Sequence, residues 1–302
     1  MFNIPQSTFN KANTLYNMTP AKSSISSSRH VLNDLLKLPD NVSIVCDDGK
    51  VRANMEILSV RSDFFGRGFN NPAFMESQNK SIRMAGCSKA AMEAVKTYLY
   101  TGEMNFEELS TSTLLYIMNV SREILIEVEL FNCIESYLKL DFSTGSTRGG
   151  RRIMSAIPPS CFELVERFRL DNLWDGLLKA FNLNLIYLAE GILEKVFLKD
   201  LNSLPLNIVK KILLCGVGAD YTADMLKSLT KGRFECFLVW YEANEEICTE
   251  EDKKEVLQSF NFDHFTGEEL VNVVGRSGLL PKEEVDRMVV ERFRKCGEGN
   301  NQ

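Results

Sequence analysis

The stretch Val51-Arg52-Ala53-Asn54-Met55-Glu56-Ile57-Leu58-Ser59-Val60-Arg61-Ser62-Asp63-Phe64-Phe65 passes from a strand into two helices. Val51 and Ala53 alternate with the charged Arg52, the period of a half-buried strand. Ile57, Leu58 and Val60 then make one helical turn, and Ser62 is placed to accept a hydrogen bond from the first turn of a helix holding Phe64, Phe65 and Phe69. Asn70-Asn71-Pro72 stops that helix. Upstream, Val42-Ser43-Ile44-Val45-Cys46 is a β-branched run that ends on Asp47-Asp48-Gly49-Lys50, so the two strands form a hairpin. Val31, Leu32, Leu35 and Leu36 recur at helical spacing before it, and Pro39 ends that short helix. Downstream, Ile82-Arg83-Met84 reads as a strand. Ser88 caps a helix carrying Met92, Val95, Tyr98 and Leu99, which stops at Thr101-Gly102. Helix follows helix from Ser110 to about Leu140. The result is an α/β unit of roughly 110 residues, helices with a few short strands.

Beyond it, Ser143-Thr144-Gly145-Ser146-Thr147-Arg148-Gly149-Gly150-Arg151-Arg152 is a Gly/Ser loop that Pro158-Pro159 closes, and it reads as a linker. From Ser160 the helical period dominates: Phe162, Val165 and Phe168; Leu177, Leu178 and Phe181; Ile208, Ile212 and Leu213; Phe237, Val239 and Trp240; Leu270, Val271 and Val274. The organisation expected is therefore a polar tail over 1–28, the α/β unit over 29–141, the linker over 142–159, an all-α domain over 160–296 and a short tail over 297–302. The N-terminal stretch of 33 residues carries Lys11, Lys22 and Arg29 without a carboxylate, which weakly resembles a transit peptide. Its sparse apolar residues fit a solvated tail better.

Charge and composition narrow the function. With 35 Lys and Arg against 41 Asp and Glu the net charge is -6, so no overall basic field draws in nucleic-acid phosphates. No run of about 18 apolar residues exists to cross a membrane. The eight cysteines, at 46, 87, 133, 161, 215, 236, 248 and 296, show no C-x-x-C and read as buried small hydrophobes in a reducing, intracellular setting, cytoplasmic or nuclear. Two histidines, His30 and His264, are too few to build a zinc site. No cofactor is expected.

An enzyme needs converging acids, bases or nucleophiles. His264 beside Asp263 is one candidate pair, but a histidine packed among Phe262 and Phe265 explains it more simply. Gly216-Val217-Gly218-Ala219-Asp220 lacks the spacing of a phosphate cradle and reads as a helix–helix turn. Glu242, Glu245 and Glu246, and Glu250, Glu251 and Asp252, read as solvated faces of short helices. The Arg148, Arg151 and Arg152 loop lacks the aromatics that stack on bases. A non-enzymatic interaction protein is the expectation.

The α/β unit resembles the BTB/POZ domain. The run from Val51 to Phe65 is similar to that family's strand and following helices, with Leu58, the Arg61-Ser62 pair and Phe65 in place, and Phe74-Met75-Glu76-Ser77 and Tyr98-Leu99-Tyr100-Thr101-Gly102 repeat further landmarks. The helical half looks similar to the BACK region that often follows it: Phe197-Leu198 to Leu204-Pro205 with Val209 and Ile212, the Phe237 and Trp240 helix, and Glu268-Glu269-Leu270 leading to Ser277-Gly278-Leu279-Leu280. Neither kelch repeats nor a MATH-sized unit is expected.

The resemblance implies a protein–protein adaptor. In BTB adaptors of cullin-RING ubiquitin ligases, a hydrophobic residue, any residue and then Glu contact the cullin, and Phe74-Met75-Glu76 fits that pattern, with Tyr100 as a further cullin contact. It also implies a homodimer, with Val31, Leu32, Leu35 and Leu36 against the partner subunit. An unknown client protein would bind the helical half. The alternative is a self-associating scaffold, or a transcription-associated protein, without cullin binding. Two positions depart from the family: Asn41 stands where Asp is usual before the first strand, and Asn54 where His is usual at the start of the helices. The charged pocket of some transcriptional BTB proteins is therefore not expected, unless Asp40 replaces it in a register shifted by one.

Overall fold

The computed structural model describes residues 39–124, 128–144, 157–191, 195–216 and 221–298. Val31, Leu32, Leu35 and Leu36 lie outside the described residues, as do the N-terminal tail, Arg148, Arg151 and Arg152, the segment 217–220 and the last four residues.

Strand β1 (Val42–Cys46) buries Val42, Ile44 and Cys46 on one face and leaves Ser43 and Val45 half-exposed, the alternation a one-sided sheet requires. It pairs antiparallel with β2 (Gly49–Ala53), Cys46 opposite Gly49, so Asp47 and Asp48 alone make the turn. Both carboxylates reach onward: Asp47 accepts from the Gly86 N–H at 2.9 Å and Asp48 from the Lys89 N–H. Strand β3 (Ser81–Arg83) runs parallel to β1 on its other side, giving the order β2-β1-β3.

Helices α1 (Met55–Arg61), α2 (Asp63–Asn70) and α3 (Met75–Asn79) fill the crossover between β2 and β3. Ser62 ends α1 and begins α2, and its buried hydroxyl donates to the Ile124 carbonyl at 2.8 Å. Ile57 and Leu58 face the core, but Val60 is 79% exposed, against the expectation of one buried turn. At about 100° per residue, Val60 lies some 200° around the helix from Leu58. Helix α4 (Lys89–Thr101) is capped by Ser88 and stopped by Gly102 at φ 75°, a left-handed turn that glycine adopts without strain. Helices α5 (Thr111–Glu123) and α6 (Val128–Thr144) complete the unit. Helix α6 continues to Thr144, into the segment read as linker, with Phe142 fully buried.

The second half is helical: α7 (Ser160–Arg167), α8 (Trp174–Ala189), α9 (Leu206–Leu214), α10 (Ala223–Asn244), α11 (Glu250–Gln258), α12 (Gly267–Glu269) running into a π-helical turn (Leu270–Gly275), and α13 (Lys282–Glu298). Helices α8 and α10 form its central pair. They close tightly because Gly232 on α10 lies against the Leu185 carbonyl. Trp240 is fully buried and its indole N–H donates to the Leu204 carbonyl at 2.9 Å. In the π-helical turn Leu270 and Val274 point inward while Val271 is half-exposed, so Val271 leaves the apolar face assigned to it.

One apolar core runs through both halves. Helix α5 packs on α7 and α6 on α8. Arg122 donates to the Phe168 carbonyl at 2.9 Å, and the Tyr116 and Phe168 rings meet edge-on at 5.5 Å.

Cys46, Cys87, Cys161 and Cys236 are buried as expected, but Cys133 is exposed and Cys215 and Cys248 are partly so. Among the described residues no His, Cys, Asp and Glu group together as metal ligands, and no helix is long and apolar enough to cross a membrane.

Candidate protein-docking site

The loop before α3 is held by its own chain. Asn71 accepts from the Ala73 N–H through its side chain at 3.0 Å and from the Phe74 N–H through its carbonyl at 3.0 Å, and Gln78 reaches back to the Pro72 carbonyl at 3.3 Å. These bonds fix where Phe74 points. Phe74 occupies the position before the first turn of α3, where a side-chain acceptor would normally sit, and it caps nothing. Phe74 is 45% exposed and Met75 beside it is 64% exposed. Glu76 is half-buried in the first turn and has no ion-pair partner among the described residues. Lys80 ends the helix in the left-handed region, φ 50°, and its carbonyl accepts from the Ser43 N–H, which ties the loop to β1. An exposed Phe–Met pair on a braced loop is what a docking anchor needs, since little ordering entropy remains to be lost on binding.

Tyr100 lies elsewhere. It is on α4, which packs against β2 and α1, whereas α3 packs against α2 and β3 at the opposite edge of the sheet. Its hydroxyl accepts from the Asn54 N–H at 2.7 Å, and Lys96 stands 5.4 Å from its ring centre. Burial pushes the Tyr100 phenol up from its ordinary value, and the nearby Asp40 carboxylate adds to that. A partner using both Tyr100 and Phe74 must therefore span the sheet.

The two asparagines read as departures hold this corner together. Asn41 accepts from the Met55 N–H at 2.8 Å and donates to the Glu56 carboxylate at 3.1 Å. Asn54 is 1% exposed; its side chain accepts from the Ile57 N–H at 3.1 Å and donates to the Pro39 carbonyl at 3.1 Å. Helix α1 is thus started by two amides. Asp40 pairs with Lys96 at 3.1 Å, and β1 begins at Val42 with Asn41 directly before it, so the register is unshifted.

The candidates from the helical half have structural employment. Asn261 donates to His264 Nε2 at 3.1 Å, His264 Nδ1 bonds Thr230 at 2.8 Å, and Thr230 donates to the Leu226 carbonyl at 2.8 Å. The imidazole is a link in this chain, and Asp263 instead faces Arg292 at 3.4 Å. Burial, with Lys227 nearby, holds His264 below its ordinary value. A histidine kept neutral in the fold contributes stability that is complete above its unfolded value of about 6.5 and is lost as pH falls through its lower folded value. Thermal melts between pH 7 and 5 should therefore show a decline that His264→Gln reduces. Asp252, read as part of a solvated face, closes a capping box with Thr249 and bonds Lys210 at 2.8 Å, which holds its carboxyl below the usual range.

Residues 32–139 match the family model of the BTB/POZ domain. The N-terminal unit is a BTB/POZ domain. Its three-stranded sheet lies within the matched residues, and such domains self-associate and bind protein partners. Among solved structures, this chain is similar to the BTB domain of zebrafish PATZ1, 14% identical, covering 40% of this chain and 99% of that one with a TM-score of 0.31. No curated protein matches. The helices that follow the BTB/POZ domain lie outside the matched residues.

Proposed function

We propose that this chain is a non-enzymatic, dimeric BTB adaptor that recruits a client to a cullin-RING ubiquitin ligase inside the cell. It docks the cullin through Phe74, Met75 and Glu76. Its BACK-like helical half spaces or holds the client, and ubiquitin transfer belongs to the partner complex. The observation that carries this reading is the exposed Phe74–Met75 pair on a loop braced by Asn71 and Gln78.

The magnitudes make the test specific. Fully burying a large apolar side chain contributes roughly 1.5–3 kcal/mol, and Phe74 still has about half of its surface to bury, leaving about 1 kcal/mol. Met75, more exposed, offers at least as much, although the family pattern allows any residue there. Phe74→Ala should therefore weaken binding to a cullin N-terminal domain about fivefold, and Phe74→Ala/Met75→Ala roughly thirtyfold or more, at 1.4 kcal/mol per tenfold. Titration calorimetry on the full chain measures both. Wild-type protein that dimerises yet shows no cullin affinity would leave a self-association scaffold as the function.

A further inference from the structure

Seven large apolar side chains stand exposed among the described residues, and three of them, Val271, Val290 and Phe293, come from α13 and the π-helical turn packed on it. They lie together. The Phe293 ring edge passes over Gly267, 3.7 Å from where a Cβ would stand, and Val285 meets Gly275 in the same way at 3.4 Å. Those two contacts set α13 antiparallel to α12 and the π-helical turn. Val271, midway between the two glycines, is therefore level with residues 289 and 290, midway between Val285 and Phe293.

One side of α13 is committed to its own chain: Val285 is buried, and Arg292 donates to the Phe262 carbonyl at 3.2 Å. On the outward side, Asp286, Val290, Phe293 and Arg294 are all exposed and fall within an arc of about 100°, at 100° per residue. Phe293 is 69% exposed. The charges are placed symmetrically, Asp286 four residues before Val290 and Arg294 four after it, about 6 Å to either side along the helix. A face with an acid and a base at equal distances from its apolar centre is complementary to itself across a twofold axis, whereas parallel packing would set like charges opposite each other.

We propose that this face binds a second copy of the chain, α13 against α13 and antiparallel. Val290 lies at the twofold axis, Arg294 faces the partner's Asp286 and Asp286 the partner's Arg294, and Phe293 is covered from both sides of the seam. A partner of a single charge sign would satisfy only one end of the face. Three apolar side chains per copy fall short of the roughly 800 Å² per partner that a standard interface buries, so the contact is weak by itself. BTB/POZ domains self-associate, and a second twofold contact on the same chain joins such dimers into larger assemblies in which each contact reinforces the others. This face stands apart from the Phe74 loop, so it survives or fails independently of the cullin reading.

The test is disulfide trapping on the full chain. Val290→Cys oxidised with copper phenanthroline should link two copies through position 290, read as the linked peptide by mass spectrometry. Ile247→Cys, exposed elsewhere on the helical half, should not link. In the Val290→Cys background, Asp286→Arg alone and Arg294→Asp alone should each lower the yield about fivefold or more, because both ion pairs of the seam become repulsions at once. Mixing those two variants should restore the yield, in linked pairs containing one of each. Light scattering should show a mass that rises with concentration for wild type, and Phe293→Ser should weaken that rise about tenfold with the thermal melt unchanged. A yield at position 290 no higher than at 247, single charge variants that link as well as their parent, or a mixture that links no better than either variant alone would overturn the proposal. So would slow maleimide labelling of Val290→Cys in unlinked protein, because another segment of the chain would then cover the face.

Discussion

Gly232→Ala is expected to lower the melting temperature by about 6–12 °C or to prevent the helical half from folding. Two effects oppose each other. In an isolated helix the change to alanine stabilises by about 1 kcal/mol, because glycine carries more backbone entropy into the folded state. Here an added Cβ would lie 2.8 Å from the Leu185 carbonyl carbon and closer still to its oxygen. The obstruction is backbone of the neighbouring helix, which no rotamer change can clear, so α8 and α10 must separate along their contact. Overpacking of this kind costs about 1–3 kcal/mol and more where backbone has to move, and separating the central pair also loosens Phe234, Phe237 and Trp240. The steric term wins. At about 2–4 °C per kcal/mol for a chain of this size, a net loss of about 3 kcal/mol yields the stated shift. Circular dichroism melts of wild type and variant measure it, and an unchanged or raised melting temperature would show that the helices do not meet at Gly232.

Asn54→Ala should cost about 2–3 kcal/mol, a fall of roughly 4–12 °C, with the largest loss of amide-exchange protection in α1. The substitution removes the cap on the Ile57 N–H, worth about 1 kcal/mol, and takes the side-chain donor away from the Pro39 carbonyl inside a site that is 1% exposed. Asn54→Ser keeps a capping oxygen and loses only the contact with Pro39, so it should recover about half of the deficit. Equal melting of the alanine and serine variants would mean that the cap contributes nothing.

How much of this was legible in the sequence depends on the kind of interaction involved. The hairpin from Val42 to Ala53 was readable because period-two alternation and a two-residue Asp-Asp turn are local properties. The helix starts at Ser62, Ser88 and Ser110 were readable for the same reason: a cap acts on an N–H three residues away. Val60 and Val271 were misplaced because hydrophobicity marks a side chain as apolar without saying on which side of the helix a neighbour stands.

The candidate docking site divides in the same way. The Phe74-Met75-Glu76 pattern is contiguous, so its presence was visible in one dimension, but the exposure of Phe74 depends on Asn71, Gln78 and the packing of α3 beside β3. Tyr100 was grouped with it by family resemblance, yet the sheet places it at the far edge, bonded to Asn54, 46 residues away along the chain. Asn41 and Asn54 looked like losses relative to a family pattern, and became contributors only when the start of α1 came within hydrogen-bonding reach of β1.

By itself the sequence determined the hairpin from Val42 to Ala53, the helix starts at Ser62, Ser88 and Ser110 and the BTB/POZ character of the first half, because periodicity, capping and turn chemistry are short-range. The tertiary structure alone decided the continuity of the core across both halves and the dependence of α8 and α10 on Gly232. Both rest on groups brought together from distant positions in the chain, where a facing carbonyl has no signature in the residues on either side.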